Sequence, residues 1–398
     1  MKNSRLFLIC LCVSIVFISG CMGKRELNEL AIVMAVGLDK GEKEGDIKVT
    51  VQVVRPADAR GQTGAPSANT GDPIWSASAE GKTIFEAIRN LTKFSSRRVF
   101  WAHNRVIVIN EDLAKEGIRD IIDFFSRNPE LRMRTWVVVS PDPASKIVST
   151  MTGLEVVPGE AIDKLFRYTM ISAQAPQTEM IDLQAAYLSE SSEPLLARVK
   201  LIERGVSNKK PGQAGSVEQV ELAGAGVFKR DKFIGVFESE ETRGLLPFIE
   251  KVQSGVLPLT CPNDEGKKIS LELRHMLFKV TPKFKNGKPE FHIRSVTNAS
   301  MAEAGCYFSM KDREQVQKLE KELSSLIYKD IKNVVDKVQN EFDSDILELG
   351  KVFKNKYPAE WKRISKDWDK ELRTAKINIE VEAKINDAVL LYKPTKTY

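Results

Sequence analysis

Between Gly81 and Val139 the sequence changes its hydrophobic period three times in under sixty residues, and this limits the architectures open to the chain. GKTIFEAIRNL sets Ile84, Ala87, Ile88 and Leu91 on one helical stripe, and Val106 to Ile109 is a short, continuous apolar run. EDLAKEGIRDIIDFFSR returns to the helical period with Leu113, Ile118, Ile121, Ile122 and Phe125, and Thr135 to Val139 (TWVVV) is again β-branched and apolar. Runs of that kind are buried on both faces, so the alternation predicts a sheet covered by helices. A helix around Ile162 to Ile171 and a strand at Leu195 to Ile202 complete this unit.

The flanking segments carry different patterns. Ala31 to Asp39 and Asp46 to Arg55 are β-rich runs joined by GEKEG and predict a hairpin. Pro56 to Pro73 is rich in Gly, Pro, Ser and Asn without apolar periodicity, and reads as an exposed surface loop. NKKPGQAGS marks a linker, after which ELAGAGVFKRDKFIGVFE predicts a second hairpin and Thr242 to Val252 a helix. Two long alternating runs then flank Asn286-Gly287, a pair that favours the tight turn of a hairpin. From Asp312, Val316, Leu319, Leu323, Ile327, Ile331, Val334, Val338 and Phe342 recur at three- and four-residue steps, predicting a long helix whose apolar stripe enters a core. INIEVEAKI reads as a closing strand. The expected organisation is a leader over 1–20, an α/β domain over 21–205, a linker over 206–216, a β-rich middle domain over 217–305 and an α+β domain over 306–398. The fold class is therefore α+β / α/β and multi-domain, in three units that each pack helices on a central sheet.

The opening stretch has a chemistry of its own. Leu6 to Ile18 is apolar except for Ser14, follows Lys2 and Arg5, and ends in Ile18-Ser19-Gly20-Cys21. Thirteen helical residues span only about 20 Å, short of the roughly 30 Å hydrocarbon core of a bilayer. The arrangement is that of a secretory leader ending in a bacterial lipobox. The Cys21 thiol would take an S-diacylglycerol group, cleavage would fall just before it, and the new amino terminus would be acylated, in a palmitate-type anchor. Two or more acyl chains hold a protein stably on a membrane where one does not.

Of five cysteines, Cys10, Cys12 and Cys21 belong to this stretch. Cys261 and Cys306 read as two buried or half-buried thiols, with a single disulfide between them as the alternative. The net charge of +6 over 398 residues is too small and too dispersed to indicate nucleic acid. His103, His275 and His292 are the only histidines and form no H-x-x-x-H pair; His275 and His292 fall on neighbouring predicted strands, where they would meet only if the register allowed. There is no phosphate loop and no G-x-S-x-G elbow, and GAG at Gly224 to Gly226 lacks the rest of a dinucleotide fingerprint. Arg97-Arg98 before Phe100-Trp101 reads as a strand-edge cluster in preference to a binding patch. No catalytic, metal or cofactor residues are assigned.

Four segments together give the chain a resemblance to a known family. They are Cys21 with Arg25-Glu26-Leu27 and AIVMAVGLD, ending on Gly37 and Asp39; GKTIFEAIRNL with RRVFWAHNRVIVINEDLAKEGIRDIIDFFSRNPELR, containing His103, Arg127, Glu130 and Arg132; LAGAGVFKRDKFIGVFESEETRGLL; and FDSDILELGKVFKNKYPAEWKRISKDWDKEL, with Asp345, Trp361 and Trp368. In this order they resemble the Ger(x)C spore germination lipoproteins, the C subunits of nutrient germinant receptors. Two features depart from the pattern: Met22-Gly23 stands where members carry Trp-Asp or Trp-Asn, and the closing strand has no glycine. The resemblance implies a lipoprotein on the outer face of the spore's inner membrane, without catalytic residues, three α/β domains, and polytopic A- and B-type receptor subunits as partners. The alternative reading is the substrate-binding lipoprotein of an ABC importer.

Overall fold

A computed structural model describes residues 29–55, 74–150, 155, 157–206, 216–250, 252 and 254–388. Cys21, Arg25-Glu26-Leu27, the 56–73 loop and nearly all of the 206–216 linker lie outside the described residues.

The first sheet contains β1 (Leu30–Lys40), β2 (Ile47–Val54), β3 (Ile74–Gly81), β4 (Arg98–Phe100), β5 (Val106–Asn110), β6 (Trp136–Ser140), β7 (Leu195–Val206), β8 (Ser216–Lys229) and β9 (Lys232–Phe237). Their order is β3-β2-β1-β5-β6-β7-β8-β9, with β4 paired to the start of β1. The inner strands β1, β5, β6 and β7 run parallel, and antiparallel hairpins extend the sheet on both sides. Val106, Ile107, Val108 and Ile109 are all fully buried, because alternate residues enter cores on opposite faces of the sheet. One face is covered by helices Ile84–Leu91, Glu111–Glu116, Arg119–Arg127 and Met180–Tyr187, the other by Ala144–Ser149 and Pro158–Ser172.

The second sheet has the order β10 (Val256–Cys261), β11 (Asp264–Lys285), β12 (Lys288–Ala304) and β13 (Lys376–Ala388). The expected β11–β12 turn is present, with Asn286 at φ 51° and Gly287 at φ 79°. The long helix Arg313–Lys337 is capped by Asp312, whose carboxylate accepts from the Glu314 and Gln315 amides. Leu319, Leu323, Ile327, Ile331 and Val334 are buried along it, as the stripe predicts. That core also takes in short helices Leu349–Lys356, Pro358–Ile364 and Trp368–Thr374.

The described strands form two sheets, and the β8–β9 hairpin hydrogen-bonds to β7 and continues the first of them. The reading of Cys261 and Cys306 as separate thiols is corrected, since they form a disulfide. Cys261 ends β10 and Cys306 follows β12, so the two strands that flank the start of β11 bring their Cα atoms to 6.4 Å.

Candidate functional site

The residues singled out from sequence fall into separate structural roles. Gly37 and Asp39 of AIVMAVGLD seat one helix. A Cβ on Gly37 would come within 2.7 Å of the Ala144 carbonyl oxygen, so only glycine allows helix Ala144–Ser149 this close to β1. Buried Asp39 then accepts from the Ala144 amide at 2.6 Å and the Ser145 amide at 2.8 Å, placing a carboxylate at the helix start. Buried Gln52 supports the same layer, donating to the Val148 carbonyl and accepting from the Gly159 amide. Gln52 lies in the β-rich run IKVTVQVV, which also holds Lys48 and Thr50, and carries no distinctive sequence signal there.

Arg98 pairs with Glu130 at 2.8 Å, and His103 lies 6.2 Å from the Phe100 ring. Trp101 is buried edge-on against Phe125. The Arg97–Trp101 segment is thus a strand edge, with its tryptophan inside. His275 and His292 do not meet: His275 pairs with Asn298 and His292 with Thr281, six positions apart along the ladder. His292 instead faces Glu380 at 3.3 Å. Among the described residues no group of three or more His, Cys, Asp or Glu could hold a metal.

The densest polar cluster forms at FDSD, Phe342 to Asp345, where the C-terminal helices meet the β8–β9 hairpin. Asp343 and Glu348 adopt left-handed backbone, φ 50° and 56°, so the chain reverses sharply on either side of Asp345. Asp345 is buried, and its carboxylate accepts from the Leu349 amide at 3.0 Å, the Gly350 amide at 2.6 Å and the Trp368 indole at 2.8 Å. Gly350 makes this approach possible, since a Cβ there would lie 3.0 Å from the carboxylate and 2.9 Å from the indole nitrogen. Burial raises the Asp345 pKa to about 6, against the pull of the three N–H donors. Trp361, also buried, packs on Trp368 with ring centroids 5.0 Å apart.

The same four residues bind the first sheet. The Ser344 hydroxyl donates to the Phe228 carbonyl at 2.6 Å, and the Glu193 amide donates to the Asp345 carbonyl at 3.1 Å. Phe342 packs on Phe237 at 5.2 Å. Lys229 bridges Asp343 and Asp369, each at 2.9 Å, and Arg373 reaches Asp343 at 2.8 Å. Burial pushes the Asp343 carboxyl up, but hydrogen bonds from Lys229 and Arg373 outweigh it and hold the pKa below the ordinary value. An open groove of about 850 Å³ runs beside the joint, with Arg119, Glu193, Arg230, Lys366 and Asp369 in its walls. Charges of both signs are interspersed there, so the groove favours no one sign of ligand. The chemistry of this cluster is that of a structural joint.

A mixed sheet with parallel inner strands and helices on both faces, joined through a buried carboxylate to a helix-covered second sheet, defines a two-sheet α+β protein. Residues 23–201 match the family described as the spore germination protein N-terminal domain, and residues 223–388 match the spore germination B3/GerAC-like C-terminal family. The chain belongs to the Ger(x)C family of spore germination proteins. It is 27% identical to spore germination protein KC of Bacillus subtilis (strain 168), across 100% of this chain and 98% of the relative. It is 24% identical to spore germination protein B3 of the same organism, across 92% and 93% of the two chains. In fold it is similar to the crystal structure of the GerBC protein, with a TM-score of 0.53 and 22% identity over 89% of this chain and 98% of the other.

Proposed function

We propose that this chain is a non-enzymatic lipoprotein subunit of a spore nutrient germinant receptor. In this reading Cys21 anchors it on the outer face of the spore's inner membrane, where it assembles with polytopic A- and B-type subunits and couples their response. The observation that carries the reading is the near full-length similarity to proteins named for spore germination, in a chain whose own opening run ends in Ile18-Ser19-Gly20-Cys21. Two features favour assembly over catalysis: both carboxylate oxygens of the buried, high-pKa Asp345 are taken up by the fold's own donors, and the groove beside it mixes charges of both signs. No helix among the described residues is long and apolar enough to cross a membrane, and two or more acyl chains would supply the attachment.

Affinity purification from detergent-solubilised spore membranes tests the assembly. Two multi-span proteins are expected to co-purify; recovery of an ATPase and a permease instead would establish the importer class. For the anchor, Cys21→Ala should abolish incorporation of labelled fatty acid and leave uncleaved precursor. Undiminished labelling of that variant would rule out lipidation at Cys21.

A further inference from the structure

Exposed cations gather at one end of the first sheet. At the edge where β1 begins, Lys93, Arg97, Arg98, Arg127, Arg132 and Arg134 are all exposed. Strand pairing places them together: β4 aligns Arg98 with Leu30, while Arg132 and Arg134 precede β6, whose Trp136 sits beside Val106 of β5. Arg98 is matched by Glu130 and Arg127 by Asp123, but no ion pair occupies Lys93, Arg97, Arg132 or Arg134 among the described residues. The opposite end, beyond Lys40, mixes signs: Glu42, Glu44, Asp46 and Glu80 alternate with Lys40, Lys43, Lys48 and Lys82 around the first hairpin, and Glu111, Asp112 and Glu116 are paired with Arg198, Lys115 and Lys40. Helix C-termini favour cations and account for Arg127 in the last turn of Arg119–Arg127. Arg97, Arg132 and Arg134 lie outside helices, so that effect does not place them.

An apolar side chain stands among these cations. Phe94 is 57% exposed and rests edge-on against Trp75, 6.5 Å between centroids, at the same end of the sheet. An exposed ring at the same end of the sheet as these cations suits the interfacial zone of a membrane, where the ring enters the headgroup layer and the charges meet anionic lipid.

The covalent tether points to the same edge. Nine residues separate Cys21 from Leu30, a reach of about 30 Å at full extension. Lys40 lies ten residues farther along β1, roughly 33 Å from Leu30. A lipid on Cys21 therefore brings the basic edge within reach of the bilayer, and the Lys40 end lies a full strand length farther along the chain. We propose that the β1-start edge of the first sheet docks on an anionic lipid surface, with Lys93, Arg97, Arg132 and Arg134 facing headgroups and Phe94 entering the interface. This docking rests on the lipidation at Cys21 proposed above.

Amide hydrogen exchange on the processed, lipid-bearing protein anchored in vesicles tests it. With one third phosphatidylglycerol, amides in 92–98 and 130–135 should exchange more slowly than in pure phosphatidylcholine, and 0.5 M salt should remove the difference. Each cation near such a surface is worth on the order of a fivefold gain in docking, so the combined K93Q, R97Q, R132Q and R134Q variant should lower the docked-to-free ratio by more than about a hundredfold. These four side chains are exposed, and an unchanged melting temperature would show that the variant folds. If the protein stays on vesicles but both lipids give equal exchange, docking is wrong and the anchor stands. If it does not stay on vesicles, the anchor fails and takes the docking with it. Protection found only in native spore membranes, and retained in the four-site variant, would place a protein partner on this edge and overturn the lipid proposal.

Discussion

Replacing Asp345 with alanine is expected to lower stability by about 3–5 kcal/mol, one of the two largest losses from changes at single sites of the described structure. The substitution leaves the Leu349 and Gly350 amides and the Trp368 indole without their acceptor, in a place that water reaches poorly. The loss should not stay local. Asp345 also presents its carbonyl to Glu193, and its neighbours Asp343 and Ser344 hold Lys229, Arg373 and the Phe228 carbonyl. Chemical unfolding followed at two sites, one in each sheet, is the measurement. Coincident transitions in the wild type that separate in Asp345→Ala would show that this carboxylate couples the two sheets. A loss below about 1 kcal/mol would mean that the joint is held by its apolar contacts alone.

The same carboxyl gives the pH dependence a definite sign. Its folded pKa, about 6, lies above the ordinary 3.8, so between these values the folded chain binds more protons than the unfolded one. The contribution is therefore fully present below about pH 4 and is lost as pH rises through 6. Asp345→Asn cannot titrate, and it is the reference. The stability advantage of the wild type over D345N should widen on going from pH 7 to pH 4, by up to about 3 kcal/mol. A gap that stays constant across that window would mean the three donors cancel the cost of burial.

Much of the architecture could be read from local pattern because local pattern is what determines it. The β-branched runs of β5 and β6 are buried on both faces, and the 312–342 stripe exists because a helix returns to the same face every three or four residues. The Asn286-Gly287 turn needs positive φ at two consecutive residues, a requirement few other pairs meet. Elements without such a requirement were lost. In β3, WSASAE alternates small residues and carries little apolar signal, and β4 is three residues long. Pro141 and Pro143 read as a break, yet Pro143 is the cap residue of helix Ala144–Ser149, where its fixed φ suits a helix entrance. Gly117, at φ 132°, divides what reads as one helix over Glu111–Arg127 into two. The joint was legible only as a list: Asp345, Trp361 and Trp368 stand out in the fourth matching segment, but the partners that give them a role, Glu193 and Phe228, are more than a hundred residues away. Sequence spacing cannot supply that contact.

The Cys261–Cys306 disulfide supplies the second large effect. Reducing it, or replacing both cysteines with alanine, should destabilise the second sheet by about 4 kcal/mol, the loop-closure value for residues 45 apart. A loss of that size corresponds to a melting shift of about 10 °C for a unit of this length. Both sulfurs are buried, so the native chain should resist thiol reagents until it unfolds. The bond clips β10, an edge strand of six residues, to the segment that leaves β12; without it β10 keeps its pairing with β11, the packing of Leu257 and Leu259, and the Thr260 amide's hydrogen bond to Glu322. Disulfides form and persist outside the reducing cytosol, so the bond agrees with the export that the anchor proposed at Cys21 would require. A version made in the cytosol without residues 1–20 should therefore carry three free thiols, at Cys21, Cys261 and Cys306, melt about 10 °C lower, and recover the difference when the Cys261–Cys306 bond forms on oxidation. If the reduced and oxidised forms melt together, the second sheet does not depend on the bond, and export is not needed to complete the fold.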